Sequence, residues 1–320
     1  MKKKIYITRK LPDRILEGLD KHFDIDMWPK EEEAVPRGIL LEKVKDVQGI
    51  LCMLTENMDE EVMEAAPNLE VISNMAVGYN NIDMNAADKR GIIVTNTPGV
   101  LTETTADLTF ALLMATARRL VEASDELRGG KWKTWSPMHL TGMDIYGSTL
   151  GIIGFGRIGQ AVARRAAGFG MEILYYNRSK KPEAEKETGA RFTELDDLLR
   201  QSDFICILLP YSPEVYHLIS GKELSMMKKS AILINTARGG IVDEQALYIA
   251  LKSGEIWAAG LDVFEKEPID PADPLLTLTN LVTLPHIGSA SIATRMKMAE
   301  LAVANIHHAL TGFGEVKRVN

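Results

Sequence analysis

Cysteine is scarce in this chain, with two among 320 residues, Cys52 and Cys206. Each lies inside an apolar run, Ile50–Leu54 and Phe204–Leu208, and neither belongs to a CxxC or Cys/His spacing. That argues against a disulfide scaffold and against a structural metal, and both thiols read as small buried hydrophobes. Basic excess is also missing. The 37 Lys and Arg are outnumbered by 44 Asp and Glu, a net charge of −7, so no basic face for nucleic acid or acidic lipid is expected. Long apolar runs are absent too. The longest candidate, Leu108–Ala117, is about half of what a bilayer needs. Thr8, Arg9 and Lys10 interrupt the basic start before a signal-peptide core forms. These absences lead us to expect a cytoplasmic protein with neither nucleic acid nor membrane as partner.

What is present is an ordinary globular composition, 46% hydrophobic and 25% charged, at a length suited to two domains. Short apolar runs alternate with helical segments, the pattern of α/β units with parallel sheets. In the first hundred residues the strand candidates are Lys4–Thr8, Phe23–Trp28, Gly49–Leu54, Leu69–Asn74 and Ile92–Asn96, with helices such as Asp13–Lys21 and Asp59–Ala65 between them. This suggests a flavodoxin-like, doubly wound unit. One long helix is expected from Thr104 to Arg128, opened by Thr104-Thr105-Ala106-Asp107 and stopped by Gly129-Gly130. Its apolar residues run round most of the circumference, which suits either a domain or subunit interface or an ordinary core helix.

After a tryptophan-containing loop, Lys131–Pro137, a second series begins at Thr149 and continues through Ile173–Tyr176, Phe204–Leu209, Ala231–Thr236, Trp257–Val263 and Asn280–Leu284. The final helix, Ala290–Leu310, lacks partners there and is assigned to the first domain. The expected architecture is α/β with two doubly wound domains. A Rossmann dinucleotide-binding domain (100–287) is inserted into a discontinuous flavodoxin-like substrate domain (1–99 and 288–320).

Leu150–Ile153 runs into Gly154-Phe155-Gly156-Arg157-Ile158-Gly159, a GxGxxG on a strand–turn–helix, followed by the helical Gln160–Ala167. One glycine makes the tight turn, one lets the backbone approach a pyrophosphate and one lets helix and strand pack closely. The end of the next strand chooses between cofactors. An NAD enzyme is expected to carry Asp or Glu there for the ribose hydroxyls, whereas this chain has Asn177, Arg178, Ser179, Lys180 and Lys181. No carboxylate repels a 2′-phosphate, Arg178 offers it a planar donor fork and Ser179 a hydroxyl. NADP(H) is favoured and NAD(H) remains possible; the bland alternative is a solvated basic loop.

Three later strand ends carry unusual chemistry: Leu233–Gly240 with Thr236, Ala237 and Arg238, Gly260–Pro268 with Asp262 and Glu267, and Leu284–Ser289 with His286 and Gly288. In a doubly wound sheet, ligands bind beyond the carboxyl ends of the strands. Here the sequence resembles the D-isomer-specific 2-hydroxyacid dehydrogenase family over essentially its whole length. It looks most like the glyoxylate/hydroxypyruvate reductase branch through Val77–Asp83, Thr95–Thr102 and Gly154–Gly159. The resemblance maps the family's arginine–glutamate–histidine set onto Arg238, Glu267 and His286. It also implies contacts to the cofactor from Thr236, Ala237, Asp262 and Gly288, although a structural turn role for Asp262 is equally open. Substrate contacts are implied for Leu54, for the backbone N–H groups of Val77 and Gly78, and for Trp135 reaching in from a partner subunit of a homodimer. Simple interface packing by Trp135 is the rival reading.

The roles have physical reasons. Arg238 stays protonated and makes paired hydrogen bonds to carboxylate and carbonyl oxygens. Histidine ordinarily changes charge near neutral pH, so His286 is the expected proton donor in reduction. Glu267 favours its imidazolium, and Pro268 keeps Glu267 extended, in a loop. The other histidines are read as surface or core residues. Stretch 52–57 has no Lys or Arg, so a second carboxylate or a phosphate on the substrate has no evident partner there. The expected activity is NADPH-dependent reduction of a small 2-keto acid to the 2-hydroxy acid. A 2-ketogluconate reductase is the alternative within the class, and a nucleotide-sensing protein like the C-terminal-binding corepressors the alternative outside it. Formate dehydrogenases are disfavoured because glutamine is expected where Glu267 stands. The absence of an added C-terminal domain disfavours the long phosphoglycerate dehydrogenases.

Overall fold

The computed structural model describes residues 2–320. The chain divides into two compact units, Met1–Leu101 with Ala290–Asn320, and Thr102–Ser289.

The first unit is built on five parallel strands: β1 (Lys3–Ile7), β2 (Phe23–Met27), β3 (Gly49–Cys52), β4 (Val71–Asn74) and β5 (Ile93–Thr95). They lie in the order β2-β1-β3-β4-β5, the flavodoxin-like winding expected from the pattern. Residues of β3 and β4 are buried on both faces, as in any covered parallel sheet. The stretch expected as one helix over Asp13–Lys21 is instead two single turns, α1 (Asp13–Leu16) and α2 (Leu19–His22), because Gly18 takes a φ of 89° between them. Three further helices follow, α3 (Arg37–Lys43), α4 (Glu60–Ala65) and α5 (Met84–Arg90), the last two capped by the Asp59 and Asp83 carboxylates.

The C-terminal helix, Ile292–Thr311, packs against β3, β4 and β5. The Ser73 hydroxyl donates to the Ala302 carbonyl at 2.8 Å, and a side chain in place of Gly49 would collide with Ile306. The last residues then run along β5. Thr95 and Arg318 form an antiparallel bridge, Val319 N–H donates to Val94 O, and Val94 N–H donates to the Asn320 side chain.

In the second unit the single helix expected from Thr104 to Arg128 is two, α6 (Thr102–Ala117) and α7 (Leu120–Arg128). The cause is tertiary. The Ala117 carbonyl accepts the Met143 N–H at 2.9 Å, and Arg119 turns left-handed with a φ of 51° while its guanidinium grips Glu122. Helix α6 is a core helix of this unit, with Phe110, Leu112 and Leu113 buried, and Gly260 clears space for Leu112. Truncating either leucine to alanine would cost about 2–5 kcal/mol. Helix α7 buries nothing.

Seven parallel strands follow: β6 (Thr149–Ile153), β7 (Glu172–Tyr176), β8 (Arg191–Phe192), β9 (Phe204–Ile207), β10 (Ile232–Asn235), β11 (Ala258–Leu261) and β12 (Leu281–Thr283). Their order is β12-β11-β10-β9-β6-β7-β8, so the winding reverses beside β6, where the glycine motif begins. Helices α8 (Arg157–Ala167), α9 (Pro182–Thr188), α10 (Leu195–Gln201), α11 (Gly221–Met226) and α12 (Glu244–Ser253) connect them. Among the described residues, no helix is long and apolar enough to cross a membrane.

Candidate active site

The three glycines after β6 have distinct physical jobs. Gly154 has a φ of 99°, and a Cβ there would sit 2.5 Å from the Leu209 nitrogen. Gly159 is more tightly packed, since its Cβ would lie 2.3 Å from the Gly154 carbonyl oxygen. Gly156, the N-cap of α8, faces open space with nothing within 4 Å. A turn glycine, a packing glycine and an open backbone at a helix start are what a pyrophosphate needs.

Phe155 contributes no side chain to that space. Its ring is buried and stacked on Tyr175 at 4.1 Å, and its N–H donates to Asn177 Oδ1 at 3.3 Å. Asn177 also donates to the Ser179 carbonyl at 2.9 Å, so its carboxamide holds the loop. Arg178 and Ser179 are exposed beside it. Arg157 is exposed and Ile158 half-buried at the first turn of α8.

Arg238, Glu267 and His286 all belong to the second unit. Arg238 follows β10, where the fully buried Asn235 shapes the turn by donating to the Arg238 carbonyl (2.8 Å) and accepting from Ala237 N–H (3.0 Å). Thr236 is tied to α6 by a 2.6 Å hydroxyl contact with Thr109. Gly239 allows the turn to press against the next loop, because its Cβ would meet the Phe264 carbonyl carbon at 1.8 Å. That next loop carries Glu267, whose Oε1 accepts from Phe264 N–H at 3.0 Å while Oε2 meets His286 Nδ1 at 2.6 Å. Burial alone would raise the Glu267 pKa, but the His286 hydrogen bond and charge, the Phe264 N–H and the Arg238 charge together hold it below the ordinary value. Burial lowers the Arg238 pKa and the Glu267 charge opposes that; a guanidinium remains protonated throughout.

His286 has a φ of 53°, a backbone conformation that only the surrounding turn sustains. Asp262 does the sustaining. It is fully buried, its Oδ1 accepts the Ile287 N–H at 2.7 Å, and burial raises its pKa. Its Oδ2 faces Gly288, 3.2 Å from the position a Cβ there would take. A buried carboxylate at the strand ends, together with the open backbone of Gly156 at the start of α8, is lining that fits a nicotinamide dinucleotide, and Gly154–Gly159 and Asp262 are residues that would hold it.

Two features escaped the sequence reading. Asn235 is one, and its signal was a polar residue closing the apolar run Ile232–Ile234. The other lies in the first unit. The loop at 52–57 has no cation of its own, yet Arg9, from the end of β1, donates to Thr55 Oγ1 (2.9 Å) and to Glu56 Oε1 (2.8 Å). The stretch 52–57 itself holds no Lys or Arg, as read from the sequence, and Arg9 reaches it from another segment. The charge is spent on the buried Glu56, which also accepts from Thr8 and from Met53 N–H. Leu54, Val77 and Gly78 are half-buried in this unit, while Trp135 in the second is 76% exposed.

A dinucleotide-binding fold carrying an arginine and a carboxylate-paired histidine at its strand ends defines the class, a nicotinamide-dependent oxidoreductase. Residues 110–288 match the family model described as D-isomer specific 2-hydroxyacid dehydrogenase, NAD binding domain. The chain is 53% identical over 307 residues to a glyoxylate reductase of Korarchaeum cryptofilum, covering 96% of this chain and 92% of that one. It is 54% identical over 310 residues to a glyoxylate reductase of Thermococcus kodakarensis, with 96% and 92% covered. A crystal structure of an NADPH-dependent glyoxylate/hydroxypyruvate reductase from Sinorhizobium meliloti, in complex with NADP and malonate, superposes with a TM-score of 0.85 at 34% identity, covering 100% of this chain and 97% of that one. The protein belongs to the D-isomer specific 2-hydroxyacid dehydrogenase family.

Proposed function

We propose that this protein reduces small 2-keto acids, glyoxylate and hydroxypyruvate first among them, with NADPH as the preferred donor. The observation that carries the reading is the 2.6 Å pair of His286 Nδ1 and Glu267 beyond the strand ends that also present Arg238. When bound, the reduced nicotinamide supplies the hydride that reaches the keto carbon. Arg238 pairs with the substrate carboxylate and polarises the carbonyl. With Nδ1 engaged by Glu267, the His286 Nε2–H gives its proton to the carbonyl oxygen as the alkoxide forms. Glu267 holds Nδ1 and so orients the ring. Leu54 and the N–H groups of Val77 and Gly78 complete the substrate contacts.

The preference for NADPH is supported by the exposed Arg178 and Ser179 and by the lack of a carboxylate at the end of β7. A homodimer is supported by α7, where Leu120, Val121 and Leu127 are exposed, and by the exposed Trp132, Trp135 and Met138 that follow it.

The test follows NADPH and NADH oxidation by absorbance with glyoxylate, hydroxypyruvate and 2-ketogluconate, in wild type and His286→Ala. Turnover selective for NADPH and about 10²–10⁴-fold lower in the variant is expected. Faster reduction of 2-ketogluconate than of the two shorter acids would move the substrate to the longer sugar acid. Tight NADPH binding without turnover of any of them would overturn the reading in favour of a nucleotide sensor.

A further inference from the structure

In the loop after β4, three successive carbonyls are held by donors from the ends of β4 and β5. Ala76 O accepts the Thr97 N–H at 2.9 Å, Val77 O accepts Asn96 Nδ2 at 2.8 Å, and Gly78 O accepts Asn74 Nδ2 at 2.9 Å. In a planar trans peptide the carbonyl and the following N–H point in opposite directions. Each engaged carbonyl therefore turns the next N–H, those of Val77, Gly78 and Tyr79, away from the strand ends. None of these three donates to another described residue. Successive backbone N–H groups left this way make an anion site.

The two carboxamides are themselves fixed. Asn96 is 8% exposed, its carbonyl accepts Asn305 Nδ2 at 3.0 Å, and Asn305 Oδ1 accepts the Lys317 N–H at 3.0 Å. Asn74 is fully buried and also reaches Asn81 Oδ1 at 3.3 Å. Asn81 in turn donates to the Met53 and Glu56 carbonyls, both at 3.1 Å. One chain of amides thus sets the loop of Val77 and Gly78 and the loop of Leu54 together.

We propose that Asn96 and Asn74 are positioning residues for the substrate carboxylate, aiming the N–H groups of Val77, Gly78 and Tyr79 as a three-donor cradle. The inference rests on the reading of this protein as a 2-keto acid reductase. Replacing the Asn96 amide by a carboxylate puts an acceptor against the Val77 carbonyl oxygen, and the repulsion rotates the peptide that carries the Gly78 N–H. Hydrogen bonds to a charged group are the strong ones.

The experiment titrates oxamate, an inert 2-keto acid analogue, into the protein–NADPH complex of wild type, Asn96→Asp and Asn96→Ala, and measures KM and kcat for glyoxylate alongside. Oxamate Kd and glyoxylate KM are expected to rise about 10- to 100-fold in Asn96→Asp, equivalent to about 1.4–2.8 kcal/mol. Asn96→Ala is expected to show a smaller rise of the same kind, with kcat and NADPH affinity near wild type in both and a melting temperature lower by several degrees. A wild-type oxamate Kd in Asn96→Asp overturns the proposal, as does a loss of NADPH affinity equal to the loss of oxamate. If the Asp variant does not fold, the Ala variant decides on the same readings. A wild-type protein that reduces no 2-keto acid defeats the underlying reading, whereas an active wild type with unaffected variants defeats this inference alone.

Discussion

The glycine motif makes a prediction in which binding and folding separate. Gly156→Ala introduces a methyl where nothing lies within 4 Å, at a backbone φ of −80° that alanine adopts freely. Stability should be unchanged or higher by about 0.4–1 kcal/mol, through the loss of freedom in the unfolded chain. The methyl stands where phosphate oxygens would come against the backbone. Losing one charge-assisted hydrogen bond there costs about 1.5–3 kcal/mol, an NADPH Kd about 10- to 100-fold weaker. Gly159→Ala is the reverse case. Its methyl meets the Gly154 carbonyl oxygen at 2.3 Å, and backbone cannot step aside as a side chain does. Overpacking costs about 1–3 kcal/mol, and the upper end corresponds to a melting temperature about 6–12 °C lower. Thermal unfolding without cofactor, paired with fluorescence titration of NADPH, measures both. A wild-type NADPH Kd in Gly156→Ala, or a wild-type melting temperature in Gly159→Ala, would refute the assignment of roles.

Arg178→Asp should weaken NADPH about 10- to 100-fold while leaving NADH binding intact, since only the phosphorylated ribose meets the guanidinium; equal losses for both cofactors would refute it. Burial pushes the Glu244 carboxyl up to about 7 from 4.5, aided by the charges of Glu265, Asp273 and Glu267 and opposed by the Glu265 N–H it accepts. A raised carboxyl favours folding below its unfolded value and loses that contribution as pH climbs through the folded one. Stability should therefore fall by about 1–2 kcal/mol between pH 4.5 and about 7, after allowance for solvent screening. Glu244→Gln, which keeps the acceptor, should remove that share of the slope in urea midpoints taken across the range.

The parts legible in the sequence are those whose cause is local. GxGxxG announces its own turn, helix start and close packing, and the order of apolar runs yields both windings. Arg238, Glu267 and His286 stood out through the glycines and prolines around them. What stayed hidden depends on residues distant in the chain. The division of α6 from α7 follows from the Met143 N–H taking a helix carbonyl, and nothing between Ala117 and Leu120 signals it. Strand β8 has only two residues and no pattern to read. The cation beside Thr55 arrives from Arg9, across a strand pairing. Gly18 is the exception, since a glycine between two apolar turns is itself a local signal of the break.

The first unit is finished by residues that follow the whole of the second. Until the C-terminal helix and the strip at Arg318–Val319 exist, β3 and β4 lack cover on one side and β5 presents an open edge. During synthesis the second unit is complete by Ser289, so it folds first, while the opening hundred residues wait with apolar surface and unpaired strand exposed. The burden of aggregation during biogenesis therefore falls on the amino-terminal third, and chaperone dependence should track the interval between Leu101 and Ala290 rather than the stability of either unit.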